Sequence, residues 1–436
     1  MDPETNIMET LTYENCPIFK TNNLINFPYK IAGTTFKNSN ELNSAIKSMI
    51  WFTYRSGFPV LQPENMKNKT DNNNSEYFEN YMSSYTSDSG WGCAVRVGQM
   101  LLAETYLRIL EPKNDENCNK RKELISRFLD NTDPSSPFSF HNFVLTYAKS
   151  DQNYKIGTWL GPNNVCHCIK KLINTVPENI NLPKINTFVC MDSTIVIPEL
   201  PKFSNILDFT TDQEDFPSSS PTESTPLLLL IPLRLGLEKI YAETYKTSIL
   251  TALSIKYSVG FIGGRPRSAY YFFGYSEKSE ELLCLDPHTV QYYHGEKLKE
   301  DLIDEYSCSN PLVLSGVDNL DPSLAMGFLC KNQHELDDLV GQLEKLNLVA
   351  IMKSLPDFGF PEDDNENSRN NEPVCGVRPS MGNGDEFDMP DSDDDFEILE
   401  CSRRDLDVEQ EDMERDLFGD NLEEQGKSSS TKNKEE

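Results

Sequence analysis

Between Cys93 and Leu110 the apolar residues Cys93, Val97, Met100, Ala103, Leu107 and Leu110 return in steps of four, three, three, four and three. That spacing places all six on one face of a single α-helix. A long helix with one apolar face has to be covered by a second layer, so the chain is expected to build a core around it. Gly90 and Gly92, just upstream, allow the backbone to turn sharply into the helix. Ser87, Asp88 and Ser89 are the candidates for its N-cap.

The other elements follow from the same reading. Leu42, Ile46, Met49 and Ile50 predict a helix within 36–54, and 165–175 suggests a shorter one. Glu238 to Lys256 reads as helix, and Thr187 to Val196 is expected to hold a strand. Pro226 to Leu235 is an apolar run with the look of a strand buried on both faces. Ser268 to Tyr275 and Glu281 to Leu285 read as two strands joined by a polar turn. Helices come first and a mostly antiparallel sheet after, an α+β order. Residues 1–30 are expected to be a flexible arm. The folded domain is expected over 31–355, with insertions near 62–85 and 201–225.

After Leu355 the composition changes. Residues 356–436 hold 27 Asp/Glu and 8 Lys/Arg, a net of −19 out of −30 for the chain. With few apolar residues to bury, this tail is expected to be disordered. An acidic chain is a poor partner for nucleic acid, which needs clustered Lys and Arg. The 11 cysteines are odd in number, scattered, and form no CxxC pair, which argues against a disulfide framework or a four-Cys zinc site. Cys166, His167 and Cys168 stand too close together to make a normal zinc site alone. No cofactor is expected. Residues 1–16 lack a basic start and an apolar stretch, so no signal peptide is expected. The apolar run Leu227 to Ile231 is too short for a membrane span. The expected setting is cytoplasmic, with reduced thiols.

A cysteine on the inner face of a helix is most often a small core residue. Cys93, however, opens its helix, where the dipole and the free N–H groups favour a thiolate, and Gly-Trp-Gly leads into it. At such places a thiol pKa falls from about 8.5 to roughly 3.5–7.5. A nucleophilic thiolate needs a base, and the chain has five histidines. His288 follows Leu-Asp-Pro. In an extended segment Asp286 and His288 point to one face, so the carboxylate can hold the ring in one tautomer. The bland reading of Asp-Pro-His is a strand-end turn with a surface histidine.

These residues belong to a wider pattern. Trp-Phe-Thr-Tyr-Arg at 51–55, Ser-Asp-Ser-Gly-Trp-Gly-Cys at 87–93, and Gly-Gln-Met at 98–100 come first. Then follow Trp159 with Gly161-Pro162-Asn163, Ile-Pro-Leu-Arg-Leu-Gly-Leu at 231–237, and Gly263-Gly264 with Pro266 and Ser268-Ala269. Leu-Asp-Pro-His-Thr at 285–289 and Asp-Pro-Ser at 321–323 with Gly327-Phe328 complete the set. In this order, over about 35–345, the chain resembles the autophagins, autophagy-related cysteine proteases of papain-like fold. The resemblance implies Cys93 as nucleophile, His288 as general base and Asp286 as its orienting carboxylate. It implies that the Tyr54 hydroxyl joins the Cys93 N–H at the oxyanion hole, although a buried tyrosine packed on the helix fits the same residue. It implies that Trp159 covers the cysteine and that the loop Gly264-Arg265-Pro266-Arg267 gates the site. Arg234 and Leu237 become candidate substrate contacts. The implied substrate is the ubiquitin-like autophagy modifier, cut to expose a C-terminal glycine and removed from phosphatidylethanolamine. Contact with autophagic membranes would then come through the lipidated substrate. Two positions depart from the family: Tyr270 stands where relatives carry His, and Arg267 where they carry Asn.

In the tail, Asp393 to Leu399 has an aromatic, two spacers and an aliphatic after a run of acids. Such a segment can add a strand to a partner sheet, with Phe396 and Leu399 in two pockets. It resembles the short motif that binds the autophagy modifier, and a plain solvated tail fits it too. The alternative for the whole chain is a non-catalytic binding protein for the same modifier, with a protease of ubiquitin itself as a third reading.

Overall fold

The computed structural model describes residues 19–21, 24–61, 85–110, 118–151, 153–203, 225–295, 298–308 and 310–355. Nearly all of the 62–85 insertion, most of the 201–225 segment and the acidic tail with Phe396 and Leu399 lie outside the described residues.

The chain runs β1 (Phe19–Thr21), β2 (Tyr29–Ile31), β3 (Thr34–Phe36), α1 (Ser39–Ser48), β4 (Tyr54–Ser56), α2 (Cys93–Leu110), α3 (Cys118–Ser126), α4 (Phe140–Ser150) and α5 (Pro162–Asn174). It continues with β5 (Asn186–Val189), β6 (Thr194–Val196), β7 (Leu227–Arg234), α6 (Ala242–Ser254), β8 (Ser258–Arg265), β9 (Ser268–Ser276) and β10 (Leu282–Leu285). Last come β11 (Val290–Tyr292), β12 (Leu312–Leu314), β13 (Ser323–Cys330), α7 (Gln333–Leu343) and β14 (Ala350–Met352). This is an α+β, papain-like fold. The main sheet runs β1-β12-β10-β9-β8-β13-β7-β5, with β2 and β3 attached at β9. Every pair in it is antiparallel except β5 with β7.

The central strands β7, β8, β9 and β10 are buried at nearly every position, not at alternate ones, so the sheet is covered on both faces there. In β7, Leu228 and Leu230 enter the core shared with α2, α4 and α5. Their neighbours Leu227, Leu229, Ile231 and Leu233 enter the opposite core with α6 and α7. A one-residue slip would exchange the two sets, so the register is tightly specified. Helix α2 packs on the first face against β8 and β9. Gly98 lets α5 approach it, since a Cβ there would lie 2.3 Å from Val165 Cγ1. Glycine inside a helix costs about 1 kcal/mol against alanine, and here that close approach is the reason for it.

Several boundaries differ from the sequence reading. The stretch expected to be a flexible arm contributes β1, paired with β12, and β2, whose Tyr29 is buried. The helix expected within 36–54 is α1 alone. Phe36 ends a strand, and Met49 and Ile50 are buried beyond the helix end. The 187–196 strand is two strands, because Asp192 and Ser193 turn the chain with positive φ. β6 pairs with β14 in a separate sheet.

Candidate active site

Cys93 is the first residue of α2, and its side chain is fully buried. The helix begins on Gly92, whose carbonyl accepts from Arg96 N–H at 3.1 Å. A side chain at Gly92 is impossible: a Cβ would lie 2.5 Å from Asp88 Oδ2 and 2.7 Å from Phe140 Cε2. The sequence reading offered Ser87, Asp88 and Ser89 as N-caps, and none of them takes that place. Asp88 ties two segments together instead. Its Oδ1 accepts from Arg55 N–H at 2.6 Å, and its Oδ2 from Arg96 Nε at 2.7 Å. Arg96 also grips Asp130 with both terminal nitrogens, at 2.9 and 3.0 Å. Burial disfavours the Arg96 charge, yet the two carboxylates raise its pKa. Breaking such a buried pair by removing one partner costs about 3–5 kcal/mol. Sequence reasoning missed Arg96 and Asp130. The one signal of Arg96 was a charge within a largely apolar helix, and Asp130, in the loop after α3, gave none.

The strand β4 carries Tyr54 and pairs in parallel with β11, Tyr54 opposite Val290. Tyr54 N–H donates to Pro287 O at 2.9 Å. Trp51 Nε1 donates to Asp286 O at 2.7 Å. The Asp-Pro-His segment is thereby fixed on both sides. It is not the extended stretch that the i, i+2 argument assumed, for β10 ends at Leu285. Asp286 Oδ1 instead accepts from its own chain two residues on, at His288 N, 2.9 Å away. The same oxygen meets His288 Nδ1. Carboxylate and ring meet through a local Asx-type turn and not through strand alternation.

The sulfur and the imidazole converge. Cys93 and His288 share a side-chain hydrogen bond. Trp159 Nε1 donates to Cys93 Sγ at 3.2 Å, and Ala269 N–H also reaches the sulfur. Burial pushes the Cys93 thiol up, but the His288 hydrogen bond and charge, Ala269 and Trp159 outweigh it, and the pKa falls. Burial likewise works against charge on His288. Asp286 and the sulfur reverse this and hold its pKa up at about 9. Both shifts act in one direction, favouring a charged sulfur beside a charged ring. Tyr54 is buried, with its ring edge-on to His288 at 5.5 Å between centroids.

The segment 264–267 ends a strand and makes a two-residue hairpin turn. Gly264 and Arg265 belong to β8, opposite Ala269 and Ser268. A Cβ on Gly264 would lie 2.0 Å from Ser268 O, so the close strand approach requires glycine there. Pro266 and Arg267 form the turn, Arg267 with φ of +63°. The Arg267 carbonyl oxygen lies 4.0 Å from Cys93 Sγ. Arg234 and Leu237 stand apart from the triad, at the end of β7. Arg234 holds Gly236 O, Leu237 O and Ser323 Oγ, while the Leu237 side chain is 71% exposed. They share the hairpin's end of the sheet, where Asp321 N–H donates to Gly264 O at 2.7 Å.

Comparison with known proteins places the chain among cysteine proteases. The family model described as the Peptidase C54 catalytic domain matches residues 39–342. A probable cysteine protease ATG4 of Debaryomyces hansenii is 34% identical over 319 residues, which are 69% of this chain and 60% of that protein. The cysteine protease ATG4B of Gallus gallus is 30% identical over 430 residues, covering 92% of this chain and all of that one. The cysteine protease ATG4A of Homo sapiens is 30% identical over 330 residues, 70% of this chain and 75% of that one. A family model that spans most of the chain, with relatives 30–34% identical along it, leaves one assignment: the chain belongs to the Peptidase C54 family of cysteine proteases.

Proposed function

We propose that this protease cuts the ubiquitin-like autophagy modifier after its C-terminal glycine, both to mature the precursor and to release the modifier from phosphatidylethanolamine. The observation that carries the reading is a buried thiol hydrogen-bonded to an imidazole that a carboxylate holds. In this reading the Cys93 thiolate attacks the glycine carbonyl, and His288 gives its proton to the leaving amine. Asp286 keeps the ring oriented and stabilises the imidazolium. The Tyr54 hydroxyl and the Cys93 N–H stabilise the tetrahedral oxyanion. Trp159 and the Pro266–Arg267 turn flank the sulfur, and a slot between them admits a thin, flexible tail with glycine at the cut.

Arg234 and Leu237 contact the substrate, and Phe396 and Leu399 help capture the modifier as a strand added to its sheet. The enzyme works in the cytoplasm and meets membranes through its lipidated substrate. Among the described residues, no helix is long and apolar enough to cross a membrane.

The test is incubation with a glycine-extended modifier, with the product mass measured. Cleavage directly after the glycine is expected, and release of the lipidated form from vesicles in parallel. Tight binding without cleavage would favour a binding protein. Cleavage of ubiquitin-glycine in preference to the modifier would move the substrate to ubiquitin. Removing residues 390–436 should raise KM for the modifier and leave kcat unchanged.

A further inference from the structure

Three consecutive residues of β9 and its turn touch the reactive pair. Arg267 brings its carbonyl oxygen to 4.0 Å from the sulfur, and Ala269 brings its N–H to the same atom. Between them, the Ser268 hydroxyl lies 3.1 Å from His288 Nε2. Ser268 in turn donates to the Tyr270 hydroxyl at 3.0 Å. The Tyr270 ring is buried, 5.0 Å from the His288 ring between centroids.

The proton roles follow from the partners. Nδ1 of His288 faces the Asp286 carboxylate, so Nδ1 carries a proton. When the ring is charged, Nε2 carries one as well. The Ser268 hydrogen is engaged with Tyr270, so its oxygen is free to accept from Nε2–H. Nε2–H therefore has two acceptors within reach: the sulfur it must serve in catalysis, and a hydroxyl on the strand that leads out of the hairpin.

We propose that Ser268, backed by Tyr270, is a positioning residue for the general base, taking a share of Nε2–H in competition with the Cys93 sulfur and so stabilising the imidazolium. The proposal rests on the reading of His288 as the partner of Cys93. It makes the hairpin more than a cover: where the turn goes, the second acceptor goes with it. The sulfur is fully buried under Trp159 and the turn, so an incoming carbonyl has to move one of them. If the turn moves, Nε2–H returns undivided to the sulfur as the substrate arrives. The groups facing His288 are Asp286 from its own loop, Cys93 from α2, Tyr54 from β4, and Ser268 and Tyr270 from β9. Of these, Ser268 and Tyr270 can be altered without touching the triad or Tyr54, and Ser268 is the one bonded directly to the ring.

The experiment uses the full chain. Thiolate formation is titrated by ultraviolet absorbance without substrate, and kcat/KM is measured against pH with a glycine-extended modifier. For Ser268→Ala, loss of one acceptor should lower the pH at which the imidazolium gives up its proton. A net hydrogen bond is worth a factor of about 2–12 in an equilibrium constant, so the alkaline limb should move down by about 0.3–1 pH unit. Tyr270→Phe should move it the same way by less, and Ser268→Thr, which keeps the hydroxyl, should restore it. A purely structural role would lower Tm and leave the limb in place. An Ser268→Ala limb and thiolate titration that coincide with wild type, or an upward move, would overturn the proposal. A wild-type chain with no thiolate absorbance below the ordinary thiol range would instead sink the Cys93–His288 pairing itself, a failure that the same titration tells apart.

Discussion

Cys93 and Cys166 both sit toward the N-terminal ends of helices, α2 and α5, and both are fully buried. Their thiols nevertheless titrate in opposite directions. Burial pushes Cys166 up, and the nearby Cys168 and Cys190 push it further. Cys93 meets the same burial and ends below its ordinary value, because an imidazole, an indole N–H and a backbone N–H converge on its sulfur. Cys168, Cys190 and Cys330 follow Cys166, pushed up by burial to about 12, and Cys308 to about 11. A helix end and a dry pocket therefore do not make a nucleophile. Specific donors do.

The strongest way to break this contrast is to exchange the two cysteines' fates by mutation. Cys93→Ala should reduce turnover below about a hundredth of wild type while substrate binding persists. Cys166→Ala should keep kcat and cost stability, read as a lower Tm from a small cavity. Comparable losses of kcat in the two variants would erase the distinction.

The next effect concerns the base. Asp286→Asn should reduce kcat by a factor on the order of 10²–10⁴, since the ring loses both its tautomer control and its counter-charge. The pH profile sharpens the point. Activity should climb as Cys93 loses its proton, below the ordinary thiol value of 9.0, and fall as His288 loses its own near 9. Because the folded His288 pKa exceeds its ordinary 6.5, the pairing adds stability that is complete below that value and is lost as pH rises through about 9. Asp286→Asn should draw the alkaline limb of kcat/KM to lower pH. The smallest effect is Trp159→Phe, which removes one hydrogen bond to the sulfur and keeps an aromatic cover. The thiolate pKa should rise by a few tenths to about one unit, measured by alkylation rate against pH.

Much of the fold was legible because its signals are local and repeated. The α2 period runs over five turns of helix, and its span Cys93–Leu110 is the one expected. The runs that became β7, β9 and β10 are apolar at nearly every position and bounded by turn residues. What escaped was short or non-local. β4 and β11 have three residues each and pair in parallel across 236 positions, from Tyr54 to Val290, with no turn between them to announce it. Cys93, Asp286 and His288, whose side chains the fold brings together, could be named from the sequence. Asp88 could not be given its role, since an acid before a helix reads as a cap, and only the fold brings Arg55 N–H and Arg96 to it. Ser268 was legible as part of the family pattern but not as a partner of His288.

The chain leaves the site at Leu61 and comes back at Tyr85, and the two stems are stitched together. Leu61 N–H donates to Tyr85 O at 3.1 Å, Phe58 N–H to Thr86 O at 3.2 Å, and Asp88 N–H to Arg55 O at 3.3 Å, while Ser56 bridges Ser87. The spacing between Tyr54 and Cys93 is therefore set by the stems, and the length of what joins them is a free variable. Lengthening a closed loop twofold costs only about 0.6 kcal/mol. A change in the number of residues joining the stems would therefore leave the spacing of Tyr54 and Cys93 to the stem hydrogen bonds.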